Sequence, residues 1–164
     1  MSTEPVKAKE IVLSDVEKLL YSAISTVFQT MLEFQVSFEP VNDEVFSTRG
    51  HVAGAVGITG AMDAMTYLYA DDFLAREITG KLLGLPVESI DDESMVNDAF
   101  GELTNMVAGH LKSYFSDRVK ACKMTIPTVV RGKDFRIEGV AGTRRVALCF
   151  RCHQSHMRAE ILIK

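Results

Sequence analysis

Apolar residues recur at helical spacing in two long stretches of the chain. The first stretch predicts a helix with an apolar stripe formed by Val16, Leu20, Ala23, Val27 and Met31. Ser14 and Glu17 at its start have the spacing of a capping box, so the helix is expected to begin at Ser14. The second stretch predicts a helix over about residues 92–116, whose core-facing positions are Val96, Phe100, Leu103, Val107, Leu111 and Tyr114.

Between these two helices, a shorter helix is predicted over residues 73–83. Asp71 precedes it as a cap, and Gly84 and Pro86 follow it as residues that end helices. Alternating apolar positions predict strands elsewhere, at 34–38 (ending at Pro40), at 50–70 (two strands joined at 59–61), and at 121–130, 143–153 and 157–164. The glycines of the paired strands predict bulges or close packing under a helix.

These elements predict an α+β fold in which two long helices pack on a mostly antiparallel sheet. An internal repeat is visible at an offset of 87 residues, where Phe28 falls on Phe115 and Pro40 falls on Pro127. The apolar stripes of the two long helices coincide at the same offset. We therefore predict one domain over residues 11–164, built from half-repeats at about 12–86 and 87–164 that share a sheet, preceded by a flexible tail at 1–10.

Composition and charge exclude several classes of function. The chain of 164 residues is 47% hydrophobic with a net charge of -4, which argues against broad electrostatic capture of nucleic acid or of an anionic membrane. Its N-terminus does not resemble a signal peptide, and no run of about 20 apolar residues follows. The three cysteines are an odd number, so reduced thiols in the cytoplasm are expected.

Two of these cysteines belong to a pattern used for covalent haem attachment, Cys149-Phe-Arg-Cys152-His153. Haem is one interpretation, and a zinc site with His153 or His156 is another. The segment alternates as a strand, which would place the two thiols on opposite faces of a sheet. Ordinary reduced cysteines are therefore the favoured interpretation.

A polar face runs along the helix predicted at 92–116, opposite its core-facing side. It carries Asp98, Glu102, Asn105, Gly109 and Lys112. By themselves an exposed glutamate and asparagine most often form a solvated surface. However, asparagine and glycine are poor residues for a helix interior. Their presence favours a face that another molecular surface must approach closely. For Lys112 an ordinary solvated position is the favoured interpretation, and attraction of an acidic partner is the alternative.

The segment from Asp98 to Gly109, together with Pro127, resembles the signature of the CheC/CheX/FliY phosphatases. That signature places an aspartate or serine, then a glutamate and then an asparagine along one helix, with a proline about 22 residues after the asparagine. Asp98, Glu102, Asn105 and Pro127 match it, and the resemblance extends over about residues 12–164. It implies a phosphatase that hydrolyses the aspartyl phosphate of a CheY-like response regulator.

The resemblance also implies roles for individual residues. Asn105 would position the attacking water, and Glu102 would pair with a lysine of the regulator, making these two the catalytic pair. Asp98, Gly109 and Lys112 would contact the partner. The chain would need no metal or cofactor of its own, because the regulator would supply Mg²⁺.

At the 87-residue offset, Glu102 corresponds to Asp15 and Asn105 corresponds to Lys18. A lysine cannot accept a hydrogen bond from water, so one site per chain is expected, as in the CheX branch. That branch implies a homodimer formed through the sheets. Two alternatives remain open. One is a non-catalytic CheC-like module that docks on a regulator or flagellar switch component, and the other is a structural dimer whose partner-facing helix has an unrelated function.

Overall fold

The structure, a computed structural model, describes residues 11–42, 51–60, 62–119, 121–133 and 135–164. The tail predicted at 1–10 lies outside these residues. The described chain has three α-helices: α1 (Leu13–Val27), α2 (Asp72–Leu83) and α3 (Glu93–Val119). A π-helical turn (Phe28–Leu32) continues α1, and a 3-10 turn (Val87–Ser89) lies between α2 and α3.

The strands form one sheet in which each described pairing is antiparallel. They are β1 (Val36–Glu39), β2 (His51–Thr59), β3 (Ala64–Asp71), β4 (Lys123–Met124), β5 (Thr128–Gly132), β6 (Arg144–Cys152) and β7 (Ser155–Ile163). Their order is β1-β6-β7-β3-β2-β4, and β5 also pairs with β2. The prediction of an α+β fold with a mostly antiparallel sheet is therefore confirmed.

The start and end of the first helix differ from the prediction. The helix begins at Leu13, and Val12 rather than Ser14 is its N-cap, without a capping side chain among the described residues. At its end the π-helical turn adds residues to one turn and so displaces the 3.6-residue spacing. As a result Met31 is 47% exposed, whereas its neighbour Leu32 is fully buried.

The second helix follows its sequence signals closely. The side chain of Asp71 accepts a hydrogen bond of 2.8 Å from the backbone N–H of Leu74, which satisfies one donor of the first turn. Gly84 ends the helix in the left-handed region, with φ of 67°. Both predicted caps are confirmed.

The strand predicted at 121–130 is interrupted. It is divided into β4 and β5, and residues 125–127 leave the regular ladder between them. Thr125 stays attached to β2 because its N–H donates to the carbonyl of Gly57 at 2.9 Å, and its hydroxyl accepts from the N–H of Gly57 at 2.8 Å. Pro127 has no N–H to donate to a ladder, which accounts for the break.

The buried core lies between the helices and one face of the sheet. Helix α1 packs against β6, and α3 packs against β2 and beside α2. The closest approach joins Gly54 of β2 to α3, where an ideal Cβ on Gly54 would lie 2.0 Å from Oγ1 of Thr104. Both residues are buried. The prediction that a helix packs closely on the glycine-containing strands is confirmed.

A network of polar side chains fixes the start of α3. Arg131 of β5 donates from Nε to Oδ1 of Asn97 at 2.6 Å and from Nη1 to Oδ1 of Asp72 at 2.9 Å. Arg76 donates to the other oxygen of Asp72 at 2.9 Å and to the carbonyl of Ile90 at 2.6 Å. One arginine thus joins β5, α2 and α3 just before the turn that carries the polar motif.

Replacing Gly54 by alanine tests the close approach of α3 to β2. The added Cβ would overlap the Thr104 side chain, so we expect Gly54→Ala to lower the free energy of unfolding by about 1–3 kcal/mol. Urea unfolding followed by circular dichroism would measure the loss. Gly109→Ala is the matched control for stability, because no described atom lies within 4 Å of its ideal Cβ. Equal stability of Gly54→Ala and the wild type would contradict the packing constraint.

The polar network predicts a pH dependence of stability. Partial burial raises the pKa of Asp72, but hydrogen bonds from Arg76 and Arg131 outweigh this effect and hold the pKa below its usual value. The network therefore contributes stability above about pH 4, where the unfolded carboxyl is ionised, and loses it as the pH falls through the lower folded value. We expect Arg131→Ala to lower the free energy of unfolding by about 1–2 kcal/mol at neutral pH, because solvent screens part of the pairing.

Urea unfolding at pH 7 and at about pH 3 would measure this difference. The difference in the free energy of unfolding between the wild type and Arg131→Ala should be smaller at the lower pH. Arg136→Ala is the control, since the ion pair of Arg136 with Glu138 spans 3.6 Å and is largely exposed. An equal difference in the free energy of unfolding at both pH values would contradict the stabilising role of the ionised Asp72 carboxylate.

Candidate functional site

The polar motif lies on α3 beside its contact with β5. Gly101 faces β5, and an ideal Cβ at this position would lie 3.3 Å from Cβ of Pro127 and 3.7 Å from Cγ2 of Val129. Pro127 therefore packs directly on the helix turn that joins Asp98 to Glu102. Pro127 and the adjacent turn of α3 therefore belong to one continuous surface.

Asn105 lies at the border between this packed surface and solvent. At about 100° per residue, it is rotated only about 40° from Gly101, whereas Glu102 is rotated by about 100°. Accordingly Glu102 is exposed and Asn105 is half-buried. The sequence predicts an exposed Asn105 side chain on the solvent side of the helix, whereas the structure half-buries this residue. Asn105 is therefore nearer than Glu102 to the side of α3 that packs on Pro127 and Val129.

The other residues of the predicted site follow the same side of α3. Asp98 is exposed one turn before Glu102, and Gly109 is half-buried one turn beyond Asn105. No atom of the described residues comes within 4 Å of an ideal Cβ on Gly109, so nothing within this part of the chain explains a glycine there. Lys112 is half-buried and lies closer to the β5 side.

Sequence reasoning missed two features that position these residues. Gly101 was recognised only as part of the motif, although a glycine inside a helix is itself a signal of close approach. The network of Arg131 with Asn97 and Asp72 gave no local signal, because its members are 34 and 59 residues apart in sequence.

The corresponding positions of α1 are not part of a comparable surface. Asp15 and Lys18 are both exposed on this helix. Lys18 offers ammonium donors where α3 has the amide of Asn105. The first helix therefore has no side chain at this position that accepts a hydrogen bond from water.

The cysteines of the haem-like pattern do not form a common site. None of the three cysteines forms a disulfide, and all three are buried. Cys152 belongs to the core under the helices, whereas Cys149 is an odd number of positions away in the same strand and faces the opposite side of the sheet. Burial, with a smaller effect from Glu77, raises the pKa of Cys152 to about 12. This thiol is therefore protonated at neutral pH and is a poor nucleophile or metal ligand.

The two histidines near these cysteines are engaged in separate contacts. His153 lies 3.3 Å from a carboxylate oxygen of Glu77, and His156 lies 2.8 Å from one of Glu39. Across the described residues, no group of three or more histidine, cysteine and acidic side chains is placed to hold a metal ion. Nor does any helix in that part of the chain have the length and apolarity needed to cross a membrane.

Comparison with known proteins gives a consistent result. The model of a family described as chemotaxis phosphatase CheX matches residues 52–151. The CheY-P phosphatase CheX of Thermotoga maritima is 26% identical over 128 residues, which cover 74% of this chain and 80% of that protein.

Solved structures share the fold. The crystal structure of the chemotaxis protein CheX from Vibrio vulnificus has a TM-score of 0.76 and 26% identity, covering 92% of this chain and 99% of that one. A structure from Borrelia burgdorferi holds a CheX–CheY–BeF3–Mg²⁺ complex and has a TM-score of 0.73. It is 19% identical, covers 90% of this chain and 96% of that one, and shows the fold alone. Because the matching family model spans more than half of the chain, the protein belongs to the chemotaxis phosphatase CheX family.

Proposed function

We propose that this protein hydrolyses the aspartyl phosphate of a CheY-like response regulator, using Asn105 to position the attacking water. The observation that carries the proposal is the placement of half-buried Asn105 within one helical turn of exposed Glu102 on α3. Support also comes from the relatives, one of which is a CheY-P phosphatase, while another forms a complex with CheY.

An asparagine suits this reaction because phosphoryl transfer depends mainly on positioning and charge stabilisation. The attacking water would donate a hydrogen bond to Oδ1 of Asn105, which directs a lone pair of the water toward phosphorus. The amide remains neutral and therefore does not repel the phosphoryl oxygens. A carboxylate at the same position would introduce that repulsion.

Glu102 has a different role in this proposal. Its carboxylate would repel the phosphoryl group at close range, so it pairs instead with a lysine of the regulator and sets the orientation of the complex. Asp98 and Lys112 contact the regulator on either side, and the absence of a side chain at Gly109 leaves room for the partner's surface. These contacts would bring the phosphorylated aspartate to Asn105.

The Mg²⁺ that accompanies an aspartyl phosphate belongs to the regulator in this proposal. In the complex of the two proteins, the positive charge of this Mg²⁺ would stabilise the negative charge of the phosphoryl oxygens. The residues of this chain then act only by binding the regulator and by orienting water. A cytoplasmic location follows from the same proposal, because the partner is a signalling protein of that compartment.

We also infer that the two halves of the chain are duplicated units, a question that bears on the number of sites. Val36 of β1 lies opposite Cys152 of β6, and Lys123 of β4, which is 87 residues after Val36, lies opposite Thr59 of β2. The first strand of each half thus pairs with a strand of the other half. Since α1 lacks the amide, one active site per chain is proposed.

A homodimer formed through the sheets is a further part of the proposal. Within the described sheet, β1 is a terminal strand that pairs only with β6. Such an edge offers backbone groups to a second strand. The competing function is a docking module that binds a regulator or flagellar switch component without hydrolysis, and the intact Asn105 favours the enzyme.

We expect Asn105→Ala to abolish the phosphatase activity, because the attacking water loses its orienting acceptor. The rate should fall by roughly 100-fold or more. Loss of phosphoryl label from a phosphorylated regulator would measure it, with thermal unfolding as the check on folding. His110→Ala, an exposed residue elsewhere on α3, is the control and should keep wild-type turnover. Wild-type turnover by Asn105→Ala would exclude the proposed role and favour the docking module.

Glu102→Ala should act mainly on binding. The regulator concentration at half-maximal rate should rise by roughly tenfold, while the maximal rate changes little, because a charge-assisted contact with the partner is lost. Steady-state kinetics over a range of regulator concentrations would separate the two quantities. An unchanged half-saturation with a reduced maximal rate would assign Glu102 a direct catalytic role instead.

A further inference from the structure

The largest exposure of a large apolar side chain in the described part of the molecule occurs beside the candidate site. Ile126 is 85% exposed, compared with 69% for Val140 and 60% for Phe73. An isolated exposed apolar residue is ordinary on a protein surface. Ile126 differs from Val140 and Phe73 because it lies beside the candidate site and because hydrogen bonds and packing hold the backbone around it.

The backbone on both sides of Ile126 is held in place. On one side, Thr125 is joined to Gly57 of β2 by two hydrogen bonds of 2.8 and 2.9 Å. On the other side, the ring of Pro127 packs on Gly101 of α3. The isoleucine is therefore presented from a fixed bridge between the sheet edge and the helix, with two β-carbon branches that further limit its rotamers.

This bridge places Ile126 next to the candidate active site. It directly precedes Pro127, which touches the helix turn between Asp98 and Glu102. A stable protein–protein contact covers about 800 Å² on each partner. A partner whose phosphorylated aspartate reaches Asn105 would therefore also cover a residue as close as Ile126.

We propose that Ile126 is an apolar anchor for the phosphorylated regulator, and that it packs on an apolar part of the regulator's surface bordering the phosphorylated aspartate. This assignment rests on the function proposed above and deepens it. The polar residues of α3 would give the complex its orientation, whereas Ile126 would contribute affinity by leaving water on docking. Its rigid backbone means that little conformational freedom is lost on binding.

A second copy of this chain is the competing occupant of the Ile126 surface. A copy docked there would cover the turn of Glu102 and block the approach of a regulator to Asn105. A working phosphatase must leave that turn free while it turns over. The regulator is therefore the occupant that is compatible with the function of the site.

The test compares Ile126→Asp with Val140→Asp, a matched change at another exposed apolar residue. Val140 follows Gly139, whose ideal Cβ lies 3.5 Å from Leu162 on the sheet face away from the helices. Binding would be titrated with a CheY-like regulator loaded with beryllofluoride and Mg²⁺, so that no hydrolysis is needed. We expect Ile126→Asp to weaken binding by roughly tenfold or more and Val140→Asp to leave it unchanged.

Steady-state kinetics and melting temperature accompany the titration. Ile126→Asp should raise the half-saturating regulator concentration with little change in maximal rate and should keep the wild-type melting temperature. Ile126→Thr retains the β-branched shape and would replace the aspartate variant if that variant folds poorly. It should weaken binding in the same direction by a smaller factor.

The outcomes separate this inference from the proposed function. Wild-type affinity in Ile126→Asp would overturn the role of Ile126, while loss of activity in Asn105→Ala would still support the phosphatase. Sedimentation would compare the oligomeric states of the two proteins. A dimeric wild type and a monomeric Ile126→Asp variant would assign Ile126 to the contact with a second copy of this chain and would also overturn the inference. A wild-type protein that neither binds nor dephosphorylates any regulator would overturn the proposed function itself.

Discussion

Helix α3 can lie against β2 and beside β5 because glycine occupies both points of closest approach. At Gly54 the side chain of Thr104 fills the space of a Cβ, and at Gly101 the ring of Pro127 comes within van der Waals distance of that space. Close-packed interiors tolerate little added volume at such contacts. The two glycines thus determine how deeply the helix sits on the sheet and how near β5 comes to it.

The position of α3 in turn determines what its polar face can do. Helical periodicity places Asn105 nearer than Glu102 to the side of α3 that packs on Pro127 and Val129, and Asn105 is half-buried while Glu102 is exposed. Arg131 reinforces this arrangement through its bonds to Asn97 and Asp72 at the start of the helix. A reacting group gains most when the protein has already restricted its position before the partner arrives. In the proposed function, the half-burial of Asn105 would contribute such a restriction.

The different roles proposed for the amide, the charged residues and Ile126 follow from the chemistry of their side chains. A neutral amide can hold water close to a phosphoryl group, while the charged residues of the same face act at a greater distance on the partner. The apolar anchor at Ile126 would add affinity that depends little on salt, since it does not involve charge. Selectivity for one regulator would then arise from the combination of these contacts rather than from the catalytic amide.

The sequence by itself determined the features that depend on neighbouring residues. The caps of α2, the apolar stripes of α1 and α3 and the alternation in β6 are local patterns, and each of them predicted the observed element. Helical periodicity predicts that Asp98, Glu102 and Asn105 lie on one side of α3, whereas their functional roles are implied by the resemblance to the family signature.

The three-dimensional structure decided details that the sequence patterns did not predict. It placed Val12 rather than Ser14 at the cap of α1 and introduced the π-helical turn that moves Met31 into solvent. It also left Asn105 half-buried, whereas the break before Pro127 has a local cause in the missing N–H of that proline. The burial of a residue depends on packing between segments that are distant in sequence, and the free energy of such contacts is not encoded in the periodicity of one segment alone.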